Sequence, residues 1–529
     1  MNAPAGGMSR RRLLGLAGGA GVAAAIGFAV PTLSRQDQTG KVLPSQLPLP
    51  RPFQVPLPVP PLLTAGRDPA FPGADFFELT QRVARQEILP GVSTEIWGYN
   101  GTFPGPTLVS RSGVRTVVRH HNTLPVPTVV HLHGGHTPPG SDGFPTDLVY
   151  PQPGPGVPMK AMPGMATMGK PDPLARTTIG ARDYDYPTTQ RAATLWYHDH
   201  RMGFTAQSVH RGLAGFHLIH DTEEENLPLP SGERDIPLMI ADRSFAADGS
   251  IRYPALDPTA LGTPGTPDPY MGGVFGDVVL VNGAPWPVLE VAAVRYRFRL
   301  LNASNARRYQ LALSPAPPGG SGFVQVGSDG GLLAEPMRHD TIEIAPAERF
   351  DVVVDFSRYP VGQEVTLTNL IGSGTTARVM RFTVARAAAD GSSVPARLAT
   401  VESLLTAKAD RTRTFAFQNH NRRSWTINGR EFDPTRPAAT PRLGGTELWR
   451  FTTDFHHSVH IHLVQFMVVA RNGKEPGPYD AGWKDTVDLK PAEEAAVIAR
   501  FTNYPGRYVM HCHNLEHEDM AMMATFTVA

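Results

Sequence analysis

The sequence predicts an all-β protein built from three similar Greek-key sandwich domains, and three observations lead there. Glycine and proline are both plentiful, at 52 each in 529 residues, which favours short strands and tight turns over long helices. A segment headed by Asn-Gly recurs three times, and a strand-like closing segment follows each copy at a distance. A chain of this length also exceeds what one hydrophobic core organises, so two to four domains are expected.

The three openings are "YNGTFPGPTLVSRSGVRTVVRHHNTL" from Tyr99, "VNGAPWPVLEVAAVRYRFRLLNASN" from Val281 and "INGREFDPTRPAATPRLGGTELWRFTTDF" from Ile427. Asn-Gly signals a turn, and the alternation of polar and apolar residues behind it signals a half-buried strand. The closings are "LAGFHLIHD" near Gly215, "VMRFTVARA" near Phe382 and "MMATFTVA" at the end. Sandwich domains are therefore expected over 43–225, 226–390 and 391–529, behind a signal and linker over 1–42.

In the amino-terminal stretch, Ser9-Arg10-Arg11-Arg12-Leu13-Leu14 resembles a twin-arginine export signal ahead of an apolar run. A membrane anchor competes with that reading, but alanine and glycine make Leu13 to Leu33 weakly hydrophobic for a span. Export to the periplasm, envelope or exterior is expected, with no stable membrane span. The single cysteine permits no intrachain disulfide. From Leu43 to Leu63 the proline-rich chain should be extended, as a linker or as an arm across the first domain. An apolar fraction of 41% with 18% charged residues suits a soluble globular protein, and a net charge of +1 leaves no electrostatic footprint for nucleic acid.

The histidines are in register across two of the copies. Domain 1 has His131-Leu-His133 and later His198-Asp-His200; domain 3 has His460-Ile-His462 and later His511-Cys-His513. Domain 2 has no such pairs. Alternate residues of a strand share a face, so each His-x-His aims two rings the same way. Eight neutral imidazoles meeting between two domains can hold three copper ions with positions left for a small ligand.

Cys512 points to the face opposite His511 and His513. His517, His457 and the thioether of Met522 can join it, and two His, one Cys and a weak axial Met is the ligand set of a blue-copper site. Domain 1 has Thr128, Asp199 and Phe204 at the matching positions, so domain 3 alone should carry that ion. One residue on either side joins the thiol to the cluster behind it, a short path for electrons. Zinc would call for Cys-x-x-Cys or His-x3–5-His spacing, and a catalytic cysteine would need one oriented base rather than a ring of ligands.

With "WGYNGTFPGPT", "HLHGG", "WYHDH", "HIHLVQF" and "HCHNLEHEDMAMM", the chain resembles a multicopper oxidase over nearly its whole length. "HLHGGHTPPGSDG" and "HEDM" make it most similar to the branch of bacterial spore-coat laccases and bilirubin oxidases. The resemblance implies three cupredoxin domains and four coppers, with electrons entering at the mononuclear site and dioxygen reduced to water at a trinuclear cluster. It implies type 1 ligands His457, Cys512, His517 and axial Met522, and type 2 ligands His131 and His460. It implies type 3 ligands His133, His198 and His513 for one ion, and His200, His462 and His511 for the other. Glu518 and Asp142 match acids that assist proton delivery in relatives. The family's His-Pro-x-His-x-His reads His457-Ser458-Val459-His460 here, with His456 alongside. Losing that proline is expected to loosen the ligand's loop. Met520 and Met523 are the other candidates for the axial thioether.

Between Asp142 and "WYHDH", Met159, Met162, Met165 and Met168 recur every third residue, and soft thioethers suit Cu(I). A laccase-like oxidase of phenols, aromatic amines or bilinoids, with a broad donor surface near His517, is the leading expectation. An oxidase of Cu(I) or Mn(II) is the alternative, and a noncatalytic scaffold fits poorly because no ligand is missing. A two-domain nitrite reductase would not need the third repeat. The expected partners are dioxygen and a small reductant, acting on a monomer.

Overall fold

The computed structural model describes residues 39–154, 157–161, 172–420 and 424–529. The export motif and Met162, Met165 and Met168 lie outside these residues. Among the described residues no helix is long and apolar enough to cross a membrane.

Six large sheets form three face-to-face pairs. The first pair has a four-stranded sheet containing Asp75–Glu87 and Thr116–Asn122, and a five-stranded sheet ending in Ala214–His220, Ala193–Asp199 and, at its edge, Val130–His133. The second pair has seven and five strands, including Asp235–Arg243, Arg295–Asn302 and Arg349–Asp355. The third pair has five and four strands, the latter in the order Thr486–Leu489, His457–Ile461, Gly506–Cys512, Met523–Val528. Aromatic and branched side chains from the facing sheets fill each interior, such as Phe77, Val118 and Tyr197 in the first and Phe415, Trp449 and Phe526 in the third. The expected closing strands are all present, as Ala214–His220, Arg378–Arg386 and Met523–Val528.

The repeat is visible in the backbone. Asn100-Gly101, Asn282-Gly283 and Asn428-Gly429 all adopt positive φ at both positions, between 50° and 82°, the geometry of a tight hairpin turn. The third copy then departs from the expected strand. Residues 431–445 form only an isolated bridge, Ala439 to Phe526, because Pro434, Pro437 and Pro441 lack the N–H a ladder needs.

The proline-rich arm lies mainly across the second pair of sheets rather than the first. Lys41–Val42 pairs with Val274–Phe275, and the Leu57 N–H donates to Val288 O. Only Leu62–Leu63 joins the first pair, beside Gly105–Arg111.

Strand register brings the histidines together. His131 stands opposite His198, and His460 opposite His511. Side chains of residues directly opposite one another in an antiparallel ladder share a face, so each four-histidine group projects from two neighbouring strands.

Candidate metal centre

Three buried side chains converge at Cys512. Its Sγ lies 3.6 Å from His517 Nδ1, and that nitrogen lies 3.3 Å from His457 Nδ1. The outer nitrogens are engaged: His457 Nε2 meets Asp454 Oδ1 at 3.1 Å and His517 Nε2 meets the Gly272 carbonyl at 3.2 Å. Both rings thus turn Nδ1 toward the sulfur. Burial pushes the Cys512 thiol up to about 12 and the His517 imidazolium well below its ordinary range. A thiol so reluctant to ionise becomes a ligand when a cation displaces its proton. Met522 brackets the group through its backbone, accepting from Cys512 N and donating to His517 O, and its side chain shares a buried cluster with Cys512. Met523 packs instead with Phe144 and Val509, and Met520 is partly exposed.

His517 is covered. Trp425 stacks on it with centroids 3.6 Å apart and planes 23° apart, and the Trp425 indole N–H donates to Met271 O. Trp425 and the Gly272 carbonyl thus lie directly against the ring near which a broad donor surface is expected. Ser458 lies inside the strand His457–Ile461, and its hydroxyl donates to Pro346 O at 2.6 Å, which anchors the ligand strand to the second pair of sheets.

The eight paired histidines meet between the first and third sandwiches, every one at most 1% exposed. His131 Nε2 faces His460 Nε2 at 3.4 Å, while their Nδ1 atoms are held by the carbonyls of Asp142 and Asp485. The Nε2 atoms of His200 and His462 each lie 3.2 Å from His511 Nε2. Behind them, Asp142 Oδ2 holds His462 Nδ1 at 2.7 Å, and Glu518 lies 3.0 Å from His511 Nδ1 and 3.6 Å from His200 Nδ1. The donor atoms of His133, His198 and His513 form a third group within 4.8 Å of one another. Desolvation depresses the imidazolium form, well below the ordinary value for His131, His133, His198, His462, His511 and His513, and to about 4 for His200. Neutral rings with free lone pairs are what metals bind.

Copper fits this arrangement. His133 Nδ1, His198 Nε2 and both nitrogens of His513 are buried with no hydrogen-bond partner, an expensive state unless a cation takes their lone pairs. An all-imidazole cluster beside an N2S group is the donor chemistry of copper rather than of magnesium or calcium. The structure thus brings together every predicted histidine, Cys512, Asp142 and Glu518. Of the methionine ladder, Met159 is exposed in the short turn Met159–Ala161.

Sequence reasoning missed Trp425, Asp454 and Asp485. Trp425 and Asp485 are remote in sequence from the rings they touch, so no local spacing betrays them, whereas Asp454 lies only three residues before His457 and its spacing could have marked it.

Comparison with known proteins agrees with the donor set. Multicopper oxidase family models match residues 402–529 and residues 82–153 with 175–224. A laccase of Bacillus subtilis is 36% identical over 507 residues, spanning 85% of this chain and 93% of the relative. The bilirubin oxidase of Albifimbria verrucaria is 36% identical over 508 residues, spanning 90% and 81%. The crystal structure of a laccase from Pediococcus acidilactici has a TM-score of 0.77 at 30% identity, covering 92% of this chain and 96% of that one. Proteins of this kind are oxidoreductases that bind four copper ions, and the buried donor groups match that requirement. The chain belongs to the multicopper oxidase family.

Proposed function

We propose that the protein is a laccase-like oxidase. It takes electrons singly from phenolic or other aromatic donors at the Cys512 site and delivers four of them to the eight-histidine cluster, where dioxygen and four protons become two waters. One observation carries the reading: Cys512 faces one donor group while its chain neighbours His511 and His513 belong to the other.

His457, Cys512, His517 and Met522 would hold the type 1 copper, and His131 and His460 the type 2 copper. His133, His198 and His513 would hold one type 3 copper, and His200, His462 and His511 the other. When bound, copper supplies a one-electron couple and open positions for dioxygen. The remaining work belongs to the chain. Cys512 links the two sites by one residue on each side, and burial excludes water from both. Glu518 and Asp142, buried behind ring nitrogens of His511 and His462, hold and pass protons. Trp425 and the Gly272 carbonyl form the wall against which a donor sits. The names of the similar laccases and bilirubin oxidase support an aromatic donor. The protein works as an exported monomer, with domains over 43–225, 226–390 and 391–529; the Ser9–Leu14 motif supports the export.

The test is copper loading followed by spectroscopy and oxygen uptake. The wild-type chain should absorb near about 600 nm, as blue copper does, and consume dioxygen with a phenolic donor. Cys512→Ser should abolish the band and the uptake while retaining copper at the histidine cluster. A colourless, fully loaded wild-type protein overturns the reading.

A further inference from the structure

The second sandwich contributes no ring to the cluster, yet one of its side chains reaches the cluster's supports. Arg349 is fully buried and spends all five of its N–H donors. Nε donates to Thr194 O at 2.9 Å, in the strand that carries His198. Nη1 donates to Ala347 O and Asp485 Oδ1, and Nη2 to Asp329 O and Asp485 Oδ2, the two carboxylate bonds being 2.7 and 2.5 Å. Such a fork fixes a carboxylate in plane as well as in place.

Asp485 in turn handles two histidines. Its Oδ1 lies 3.0 Å from His133 Nε2, and its backbone carbonyl lies 2.8 Å from His460 Nδ1. The two rings are stacked, with centroids 3.7 Å apart. His131, His198, His460 and His462 are engaged at Nδ1. His133 is turned the other way, engaged at Nε2 with Nδ1 buried and unpartnered. Both Asp485 oxygens face Arg349, so this acid acts through imidazole rather than as a ligand itself.

Gly134 supplies an independent sign that the pair is a fixed object. It follows His133 at φ +86°, and a Cβ there would lie 2.7 Å from Arg349 Nη2 and 2.8 Å from Asp485 Oδ2. The chain passes the ion pair only because this residue has no side chain.

We infer that Arg349 is a positioning residue for the copper cluster: by clamping Asp485 it orients His133 to present Nδ1 and steadies His460 beside it. The inference rests on the proposed cluster binding copper. Partners that orient metal-bound histidines typically govern affinity by about 10–100-fold.

The experiment compares copper-loaded wild type with Arg349→Lys, Asp485→Asn and Arg299→Lys. Arg299 is an equally buried arginine of the second sandwich that reaches Thr194 Oγ1, but it touches none of the eight histidines. Each protein is dialysed against graded chelator, then read for copper content, blue absorbance and electron paramagnetic resonance of the non-blue copper. Arg349→Lys and Asp485→Asn should release cluster copper at about 10–100-fold lower chelator and show an altered resonance, with the blue band retained. Arg299→Lys should match wild type in both. If Arg349→Lys does not fold, Asp485→Asn carries the comparison. Wild-type retention in both cluster-facing variants overturns the inference, as does the same loss in Arg299→Lys. A wild-type chain holding only blue copper overturns this and the proposed function together; wild-type cluster copper unaffected by the variants overturns this alone.

Discussion

Replacing Glu224 by Gln isolates one charge at the junction of the first two sandwiches. Glu224 Oε1 lies 2.7 Å from Arg297 Nη1 and 3.1 Å from Arg299 Nη2, and Oε2 lies 2.7 Å from His220 Nδ1. Burial alone would raise the carboxyl's pKa, but Arg297 and Arg299 outweigh it and hold the group far below its usual range. Removing one member of a buried pair costs about 3–5 kcal/mol. Here Asp351 and Asp235 still partner the two arginines at 2.6 and 2.7 Å, so about 2–4 kcal/mol is expected at neutral pH. Because the folded-state pKa is depressed, the stabilisation is fully present above the unfolded value of about 4.3 and fades as pH falls below it. The gap between wild type and Glu224→Gln should therefore be constant from about pH 7 to pH 5 and then close by about 1.4 kcal/mol per pH unit. Denaturant titrations of both proteins across that range measure the gap directly, with every other carboxylate common to the two. A gap that stays constant down to about pH 3 would refute the argument.

Three more outcomes follow from the same geometry. Gly134→Ala should destabilise the protein by about 2–4 kcal/mol, since strained φ and contact with a buried ion pair add, and should lower copper content; thermal denaturation and metal analysis check both. Met522→Leu nearly conserves volume, so stability should change by less than about 1.5 kcal/mol. Losing a donor to cupric ion should raise the reduction potential at Cys512, and redox titration of the blue band would expose an unchanged value. Ser458→Ala leaves the Pro346 carbonyl without its donor and should cost about 1–2 kcal/mol, read as a lower denaturation midpoint with the blue band intact.

The sequence displayed the clustered histidines because strand periodicity is a local code: His-x-His states which rings share a face, and two copies in register state that they meet. The three hairpins were equally readable, since Asn-Gly writes its own backbone angles. What lay hidden depends on long-range packing. Asp485 and Arg349 are 136 residues apart, and nothing near either marks it as the other's partner. Trp425 covers His517 from the strand Ser424–Ile427 while His517 sits in the short helix Leu515–Asp519, so no local spacing links the two. Ser458 looked like a lost restraint because its hydroxyl's partner, Pro346, belongs to another sandwich. The course of the proline-rich arm was ambiguous for a related reason, as extended chain carries no signal of which edge it will pair with.

The indole lid over His517 would change what kind of discrimination the proposed oxidase exercises. In the proposed reaction a reductant would meet the Trp425 indole before the ligand ring, and its electron would cross that layer. Turnover across a series of donors should then follow thermodynamic driving force more closely than molecular shape. On that reading, widening the catalogue of accepted compounds would be a matter of tuning potential, not of carving a cavity.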